Sequence, residues 1–255
     1  MSSPESGAEQ AIIVGASGAL GQSIVAALID AGKEVIAIAR SSASLAPVVA
    51  AHPTGLIPLV ADMADDAAVA VVQRAINRTV AMVVHAPGVP VAGGIRTADT
   101  ASLVAACNIK VGGFVRLVRA AEPFLRRRSR LVAVGGHYGF EPTAYAATAG
   151  VANAALANVV RQISWAYGDA GITAHLIAPG PADTPRLHHV ARTRADQAGV
   201  AVDQILADMR AESAINAMVE PAQIAWAIRL LLDEQADALA GSALMLDAGR
   251  RRGLP

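Results

Sequence analysis

The chain has 255 residues, is 54% hydrophobic, and carries 21 basic and 21 acidic residues. This balance gives no net field that would recruit nucleic acid or a charged membrane surface. The single cysteine, Cys107, excludes an internal disulfide and a cysteine-rich metal site, and we expect no bound metal. The apolar runs are read as shorter than the about 18 residues of a membrane span. Residues 1–10 are polar and carry no secretion signal, so we expect a cytoplasmic protein without membrane or nucleic-acid partners.

Short aliphatic and β-branched runs alternate with longer alanine-rich segments of helical period. This alternation predicts a single α/β domain over residues 1–255, with a doubly wound parallel sheet (a Rossmann fold) covered by helices on both faces. The predicted strands are 11–15, 34–39, 56–60, 80–85, 130–135, 172–178 and 243–247. The predicted helices, each feeding a right-handed crossover, are 19–31, 43–51, 65–77, 100–125, 146–168 and 221–233.

Residues 181–218 interrupt this alternation. Pro181, Pro185 and a run of mixed charge precede a return of helical character at 203–216. A long insertion after a sheet strand often covers a site. We therefore expect a substrate lid here, with an inert pair of surface helices as the alternative.

Residues 12–21 indicate a buried strand that runs through a glycine turn into a helix. Such a turn permits a close backbone approach to a pyrophosphate held at the helix N-terminus. The spacing departs from the usual G-x-G-x-x-G, so a turn that binds nothing is the alternative. The residues predicted to contact the pyrophosphate are Gly15, Ser17, Gly18, Leu20 and Gly21.

The end of the second predicted strand bears on the choice of cofactor. About twenty residues after the glycine turn, an acidic side chain would hold the ribose 2′-hydroxyl of NAD. The chain instead has Arg40 followed by Ser41, which offers a cation and a hydroxyl to a 2′-phosphate. This predicts NADP, bound as NADPH, and an exposed arginine without a ligand is the alternative.

The chain resembles the short-chain dehydrogenase/reductase family from end to end. Residues 14–21 are similar to the coenzyme loop of that family, and 220–223 and 239–249 are similar to its last helix and last strand. The resemblance implies a nicotinamide cofactor. It also implies cofactor contacts at Asp62, Met63, Gly88, Pro179, Gly180 and Thr184.

The catalytic residues of the family are matched only in part. The family uses a tyrosine as acid or base, a lysine that lowers the tyrosine pKa, and a serine that polarises the carbonyl. Tyr145 matches the tyrosine, and Asn108 matches the asparagine of the family's catalytic tetrad. Gly136 and Ala149 stand at the serine and lysine positions. The resemblance therefore implies a site whose proton path departs from that of the family.

Other titratable residues could take over the roles of the missing serine and lysine. His137 has an unperturbed pKa suited to proton transfer, and we include it as a third catalytic candidate, with a structural role as the alternative. His85 and His175 replace family asparagines and are interpreted as structural. Neither lysine of the chain, Lys33 or Lys110, lies on the helix predicted after Tyr145.

Three functions agree with these residues. The first is an NADPH-dependent oxidoreductase that reduces a neutral, largely apolar carbonyl or enone by a non-standard proton path. The second is a cofactor-binding pseudoenzyme, and the third is a non-redox isomerase, cyclase or lyase. The family also pairs helices that correspond to 100–125 and 146–168 across a two-fold axis, which implies a homodimer or homotetramer.

Overall fold

The computed structural model describes residues 8–89 and 93–253. Its strands are β1 (Gln10–Val14), β2 (Glu34–Ala39), β3 (Leu56–Val60), β4 (Val80–His85), β5 (Leu125–Val134), β6 (Thr173–Pro179) and β7 (Ala243–Leu246). They form one sheet in the order β3-β2-β1-β4-β5-β6-β7, and every pairing is parallel. The predicted doubly wound parallel sheet is confirmed, and every predicted strand overlaps an observed one.

The described residues form nine α-helices. They are α1 (Ala19–Asp30), α2 (Ser42–Ala51), α3 (Ala68–Ala75), α4 (Thr100–Cys107), α5 (Gly113–Ala121), α6 (Ala147–Tyr167), α7 (Pro185–Ala198), α8 (Val202–Ala211) and α9 (Pro221–Leu230). The helix predicted over 100–125 is divided, because a π-helical turn at Asn108–Gly112 separates α4 from α5. Such turns are frequent at functional sites.

Both faces of the sheet are buried, which explains the continuous apolar strands. Along β1, Ile12 and Val14 face one core layer with α5 and α6, whereas Ala11 and Ile13 face the other with α1 and α9. Successive side chains of a strand point to opposite faces, so a strand covered by helices on both sides requires apolar residues at every position. The chemistry is therefore confined to the strand ends.

The strand order reverses between β1 and β4, which are neighbours although β2 and β3 lie between them in sequence. In open parallel sheets, ligands bind in the crevice outside the carboxyl ends of the strands at such a reversal. That crevice lies beyond Val14 of β1 and His85 of β4. The fold therefore places the candidate site there.

Residues 181–218 contain two helices, and the first begins earlier than predicted. The prediction placed helical character only from residue 203, but α7 begins at Pro185. The Thr184 hydroxyl caps α7 by accepting a hydrogen bond from the Leu187 N–H at 3.3 Å. Proline at the first helical position suits a helix start, since its missing N–H would have no helical partner there. The two prolines were therefore wrongly interpreted as interrupting helical structure throughout this stretch.

The side chain of Arg130 joins β5 to the segment that follows α9. It is only 1% exposed and donates hydrogen bonds to the Leu231 carbonyl at 2.7 Å and the Asp233 carbonyl at 2.9 Å. It also bonds the Thr173 hydroxyl at 2.8 Å and pairs with Asp237. A buried guanidinium is tolerated because its donors are matched by acceptors on several elements.

The run Thr100–Phe124, which spans 25 residues with a mean hydropathy of 1.5, meets the length and composition of a membrane span. The expectation that every apolar run is too short for a span is therefore wrong here. In the fold, this run forms α4, the π-helical turn and α5, and Phe114 and Leu117 lie in the core beneath the sheet. This packing explains the apolar residues of α5, whereas Val104 on α4 is 69% exposed.

Candidate active site

The turn between β1 and α1 leaves no room for side chains at two of its glycines. Gly15 adopts a φ of +82°, and a Cβ there would lie 2.6 Å from the Ala86 carbonyl oxygen. A Cβ on Gly21 would lie 2.1 Å from the Gly15 carbonyl oxygen. A Cβ on Gly18 would make an ordinary contact at 3.5 Å. Gly15 and Gly21 are thus required by the tight turn and by the packing of the helix on the strand.

The N-terminus of α1 is suited to an anion. Gly18 is the N-cap, and no side chain caps the first turn, where Leu20 lies. The N–H groups of a first turn have no partners within the helix, and they favour a negative group. The Ser17 carbonyl accepts a hydrogen bond from the Gln22 side chain at 2.9 Å, which fixes the loop. This arrangement fits the pyrophosphate of a dinucleotide.

Arg40 lies exposed beyond the end of β2, beside the glycine turn. The Ile38 carbonyl of β2 accepts a hydrogen bond from the Gly15 N–H at 3.0 Å, which joins the two segments. Ser41 is the N-cap of α2. Within residues 8–89 and 93–253, Arg40 forms no ion pair. Its guanidinium is therefore free to pair with a phosphate on a ligand in this crevice.

The segment after β3 borders the same end of the crevice. The Ala61 N–H donates to the Ala39 carbonyl at 3.1 Å, which places the exposed Asp62 beside the end of β2. Met63 differs from a contact residue, because its side chain is only 4% exposed and belongs to the core. The Met63 carbonyl accepts a hydrogen bond from Arg116 at 3.1 Å. A cofactor contact at Met63 would therefore come from its backbone.

The ends of β4 and β6 meet through Arg186 of α7. The Arg186 guanidinium donates to the Val89 carbonyl, and a Cβ on Gly88 would lie 2.7 Å from it. After β6, the Gly180 N–H donates to the Leu246 carbonyl at 2.8 Å. Three predicted cofactor residues lie at or just after the end of β6, at this edge of the sheet: Pro179, Gly180 and Thr184. The sequence analysis did not single out Arg186.

Tyr145 lies in the loop before α6 and contacts a second tyrosine. The Tyr145 and Tyr138 hydroxyl oxygens are 2.8 Å apart, within hydrogen-bond distance. The Arg194 guanidinium carbon lies 4.4 Å from the centroid of the Tyr145 ring, in the range of a cation–π contact. Tyr145 is 39% exposed, so a small molecule can reach it. Of the three predicted catalytic residues, Tyr145 is the one that is exposed and contacts both a hydroxyl group and a cation.

His137 is placed differently from a proton donor. Its imidazole is buried and stacks on Tyr138, with ring centroids 4.0 Å apart. Burial, followed by the charge of Arg250, lowers the His137 pKa to about 4. The imidazole is therefore neutral at pH 7, and it hydrogen-bonds the Pro179 carbonyl. These contacts favour the structural alternative for His137.

The Asn108 side chain is held by two structural partners. Its amide donates to the Ala64 carbonyl at 2.9 Å, and its oxygen accepts from Arg116 at 2.9 Å. These bonds connect the π-helical turn to the segment after β3. Asn108 is thus placed to position backbone segments, and no contact with Tyr145 is among its hydrogen bonds.

A neighbouring side chain fills the space beside Gly136, the position that matches the family's serine. A Cβ on Gly136 would lie 2.9 Å from the amide nitrogen of Asn153, a buried side chain on α6. Asn153 lies four residues after Ala149, so the two share one face of the helix. The amide of Asn153 thus occupies the space beside Gly136, and its Oδ1 has no hydrogen-bond partner in the described structure.

Lys110 projects from the π-helical turn toward the end of β5. Its Nζ donates to the Val134 carbonyl at 2.8 Å, and burial, followed by the charge of Arg186, lowers its pKa to about 7. Lys110 and Asn108, two residues apart on the same turn, therefore bond different partners. Lys110 lies beneath the site, and none of its hydrogen bonds reaches Tyr145.

His85 and His175 both lie in the core. The His85 Nε2 lies 2.9 Å from the Ile109 carbonyl, and burial lowers its pKa to about 3. His175 is held between the Thr173 hydroxyl at 2.7 Å and the Leu239 carbonyl at 3.1 Å. Both imidazoles have the contacts of structural residues. No group of three His, Cys, Asp or Glu side chains in the described ranges is arranged to hold a metal ion.

Comparisons with known proteins identify the family of the chain. The family described as enoyl-(acyl carrier protein) reductase matches residues 15–251. The chain belongs to the short-chain dehydrogenase/reductase family, whose fold binds a nicotinamide cofactor. A curated relative, cis-4-hydroxycyclohexanecarboxylate dehydrogenase of Sinomonas cyclohexanicum, is 33% identical over 98 residues. That match covers 38% of this chain and 35% of the relative.

Solved structures share the fold over nearly the whole chain. A short-chain dehydrogenase/reductase oxidoreductase from Burkholderia thailandensis has a TM-score of 0.83 at 25% identity, covering 95% of this chain and 92% of that one. L-sorbose reductase of Gluconobacter frateurii, complexed with NADPH and L-sorbose, has a TM-score of 0.89 at 22% identity, with 97% and 98% coverage. YwfH, an NADPH-dependent reductase of bacilysin biosynthesis, has a TM-score of 0.86 at 19% identity, with 97% and 100% coverage.

Sequence reasoning missed the residues that surround Tyr145. Tyr138 was not among the predicted catalytic residues. Arg194 and Arg186 lie in the stretch interpreted as a lid, and only the predicted covering role indicated that it reaches the site. The sequence signal for α7 was the helix start at Thr184-Pro185. Arg186 and Arg194 are eight residues apart on this helix, so they lie on similar faces of it.

Proposed function

We propose that the protein is an oxidoreductase that uses NADPH to reduce a neutral, largely apolar carbonyl compound or enone. The observation that carries the proposal is the Tyr145 hydroxyl, which bonds Tyr138 at the carboxyl end of the sheet. NADPH, when bound, supplies the hydride. Tyr145 gives its proton to the substrate oxygen, which becomes negative as the hydride reaches the carbon. Three solved or curated relatives support a redox role, since they are called reductases or a dehydrogenase.

The choice of a neutral substrate follows from the pairing of nearby charges. Arg250 pairs with Glu212 and His188 bonds Asp183 at 2.6 Å, while Arg194 is directed at the Tyr145 ring. Charges already paired within the protein are poor partners for a charged ligand, because a ligand would have to displace them. We propose that residues 181–218 act as the lid over this substrate.

The cofactor part of the proposal is tested by binding. We expect NADPH to bind at least tenfold more tightly than NADH, about 1.4 kcal/mol, because Arg40 pairs with the 2′-phosphate. Arg40→Ala should remove most of this preference and leave NADH binding unchanged. Titration calorimetry with each cofactor measures both affinities. Arg74→Ala, an exposed arginine on α3, is the matched control. Equal affinities of the unaltered protein for the two cofactors would contradict the assignment of NADP.

A cofactor-binding pseudoenzyme is the second candidate, favoured by Gly136 and Ala149 at the serine and lysine positions. A panel of ketones, aldehydes and enones with NADPH separates the two, because only the oxidoreductase consumes NADPH. Tight NADPH binding without consumption on any member would favour the pseudoenzyme. Failure of both cofactors to bind would favour the non-redox isomerase, cyclase or lyase.

We also propose a homodimer or homotetramer built on α4 and α6. These helices pack on each other and expose apolar side chains, with Val104 69% and Val151 48% exposed. A self-complementary pairing across a two-fold axis would cover them. Light scattering at micromolar concentration should give at least twice the mass of the chain, and Val151→Arg should lower that mass. A monomeric unaltered protein would refute this assembly.

A further inference from the structure

We propose that Arg194 and Tyr138 replace the missing family groups around Tyr145, with Arg194 as the cation that stabilises the Tyr145 phenolate and Tyr138 as its hydrogen-bond donor. We call these three residues the tyrosine–arginine cluster. Arg194 and Tyr138 are positioning residues, because they act through Tyr145. Their catalytic consequence rests on the proposed function, whereas their effect on the Tyr145 hydroxyl does not.

The geometry of the cluster is specific. The two hydroxyl oxygens lie 2.8 Å apart, and the rings meet edge to face at 85° with centroids 5.7 Å apart. Arg194 covers the face of the Tyr145 ring at 4.4 Å. The Arg194 charge therefore acts on one ring while Tyr138 contacts the hydroxyl of that ring. Each contact stabilises negative charge on the Tyr145 oxygen more than it stabilises the neutral phenol.

The electrostatic environment separates the two tyrosines. Burial raises the Tyr145 pKa, but hydrogen bonds with Tyr138 and Arg194 and the charges of Arg194 and Arg250 outweigh it and lower the pKa below 10.0. For Tyr138, burial and the contact with Tyr145 raise the pKa well above its usual value. Tyr145 therefore loses its proton first. Tyr138 keeps its proton and donates to the Tyr145 oxygen.

The neighbouring charges leave Arg194 directed at Tyr145. Arg250 is paired with Glu212, and the neutral imidazole of His137 stacks on Tyr138. Within the described part of the chain, Arg194 has no carboxylate partner. A guanidinium without a counter-ion interacts more strongly with an adjacent phenolate than one already neutralised by a carboxylate.

The proton balance of the reduction then closes within the cluster. The substrate carbon gains a hydride with its electron pair, and the Tyr145 O–H bond breaks as a new O–H bond forms on the substrate. Arg194 and Tyr138 hold the resulting phenolate. Because Tyr145 is 39% exposed, water returns the proton after each turnover. Arg194 enters from α7 rather than from α6, the helix that carries Ala149 at the family's lysine position.

The cluster is tested by titrating the near-ultraviolet absorbance of tyrosinate against pH. The chain has only three tyrosines, Tyr138, Tyr145 and Tyr167, so the first tyrosine ionisation can be resolved from the others. We expect that transition to vanish in Tyr145→Phe, which assigns it. Arg194→Met should raise it by on the order of one pH unit. Tyr138→Phe should also raise it, because the Tyr145 phenolate loses its donor.

Two control variants separate charge from structure. Arg194→Lys keeps the cation and should retain most of the lowered transition, whereas a role of Arg194 in packing alone would not be restored by lysine. Arg192→Met removes an exposed arginine from the same helix and should leave the titration unchanged. With a reducible substrate, the pH above which turnover falls should move upward in Arg194→Met, by the same interval as the titration.

The result that overturns the proposal is an Arg194→Met protein whose first tyrosine transition stays where it was. A rise in KM confined to anionic substrates, with an unchanged titration, would overturn it in favour of Arg194 as a substrate anchor. If the titration moves as expected but no carbonyl or enone consumes NADPH, the cluster stands and the proposed function fails. The two failures are thus distinguishable.

Discussion

Replacing Tyr145 with phenylalanine is expected to lower carbonyl reduction by a factor of about 10² to 10⁴, the usual contribution of a positioned proton donor. Phenylalanine keeps the ring beneath Arg194 but removes the hydroxyl that bonds Tyr138. NADPH affinity should change little, because the cofactor is assigned to other residues. Steady-state rates with the best substrate of the carbonyl panel, together with cofactor titration, measure both effects.

Two further variants test whether the loss of turnover in Tyr145→Phe comes from the missing proton donor. Tyr167→Phe, at the end of α6 and away from the crevice, should keep full turnover. His137→Ala should cost less than Tyr145→Phe, because the His137 pKa of about 4 leaves the imidazole neutral at pH 7 and without a proton to give. A larger loss in His137→Ala would transfer the proton-donor role to the histidine. Full turnover in both variants would remove the assigned site altogether.

Arg130→Ala is expected to lower the free energy of unfolding by about 3 kcal/mol or more. The substitution removes a guanidinium that is only 1% exposed. It leaves the Leu231 carbonyl without its Arg130 donor, leaves the Asp233 carbonyl with the Ala236 N–H at 3.2 Å, and creates a cavity between β5 and the end of α9. Denaturant unfolding followed by circular dichroism measures the change.

Arg128→Ala is the matched control for Arg130→Ala. Arg128 pairs with Glu234 at the surface, where its side chain is 54% exposed, so its loss should cost less than about 1 kcal/mol. Arg130→Met keeps much of the volume and separates the lost hydrogen bonds from the cavity. Equal effects of Arg130→Ala and Arg128→Ala would show that the buried network contributes little to stability.

The sheet could be predicted from sequence because its strands are buried on both faces. A run such as β2, with Val35, Ile36 and Ile38, is apolar at successive positions only when helices cover both sides. The division of the 100–125 helix was not predicted, although the π-helical turn at Asn108–Gly112 ends in Gly112 and is followed by Gly113, both weak helix formers. Strand and helix periods are local signals, whereas this turn reflects contacts made by Asn108 and Lys110 with other elements.

The candidate site was less accessible to sequence reasoning. The glycine turn was predicted because glycine carries a backbone signal, and the structure explains Gly15 and Gly21 sterically. The roles of the predicted catalytic and cofactor residues stay predictions. The contact of Arg194 with Tyr145 depends on how α7 lies over the sheet, which no local pattern specifies. The family motif places its cation on α6, whereas the cation beside Tyr145 here comes from α7.

The amide of Asn153 beside Gly136 also determines what position 136 can hold. A serine introduced at 136 would place its Cβ 2.9 Å from the Asn153 nitrogen, so the Asn153 side chain would have to shift before the hydroxyl could act. A smaller residue at 153, introduced by itself, would leave a void beside Gly136. The two positions are therefore coupled, and the effect of a serine at 136 is expected to depend on the residue at 153.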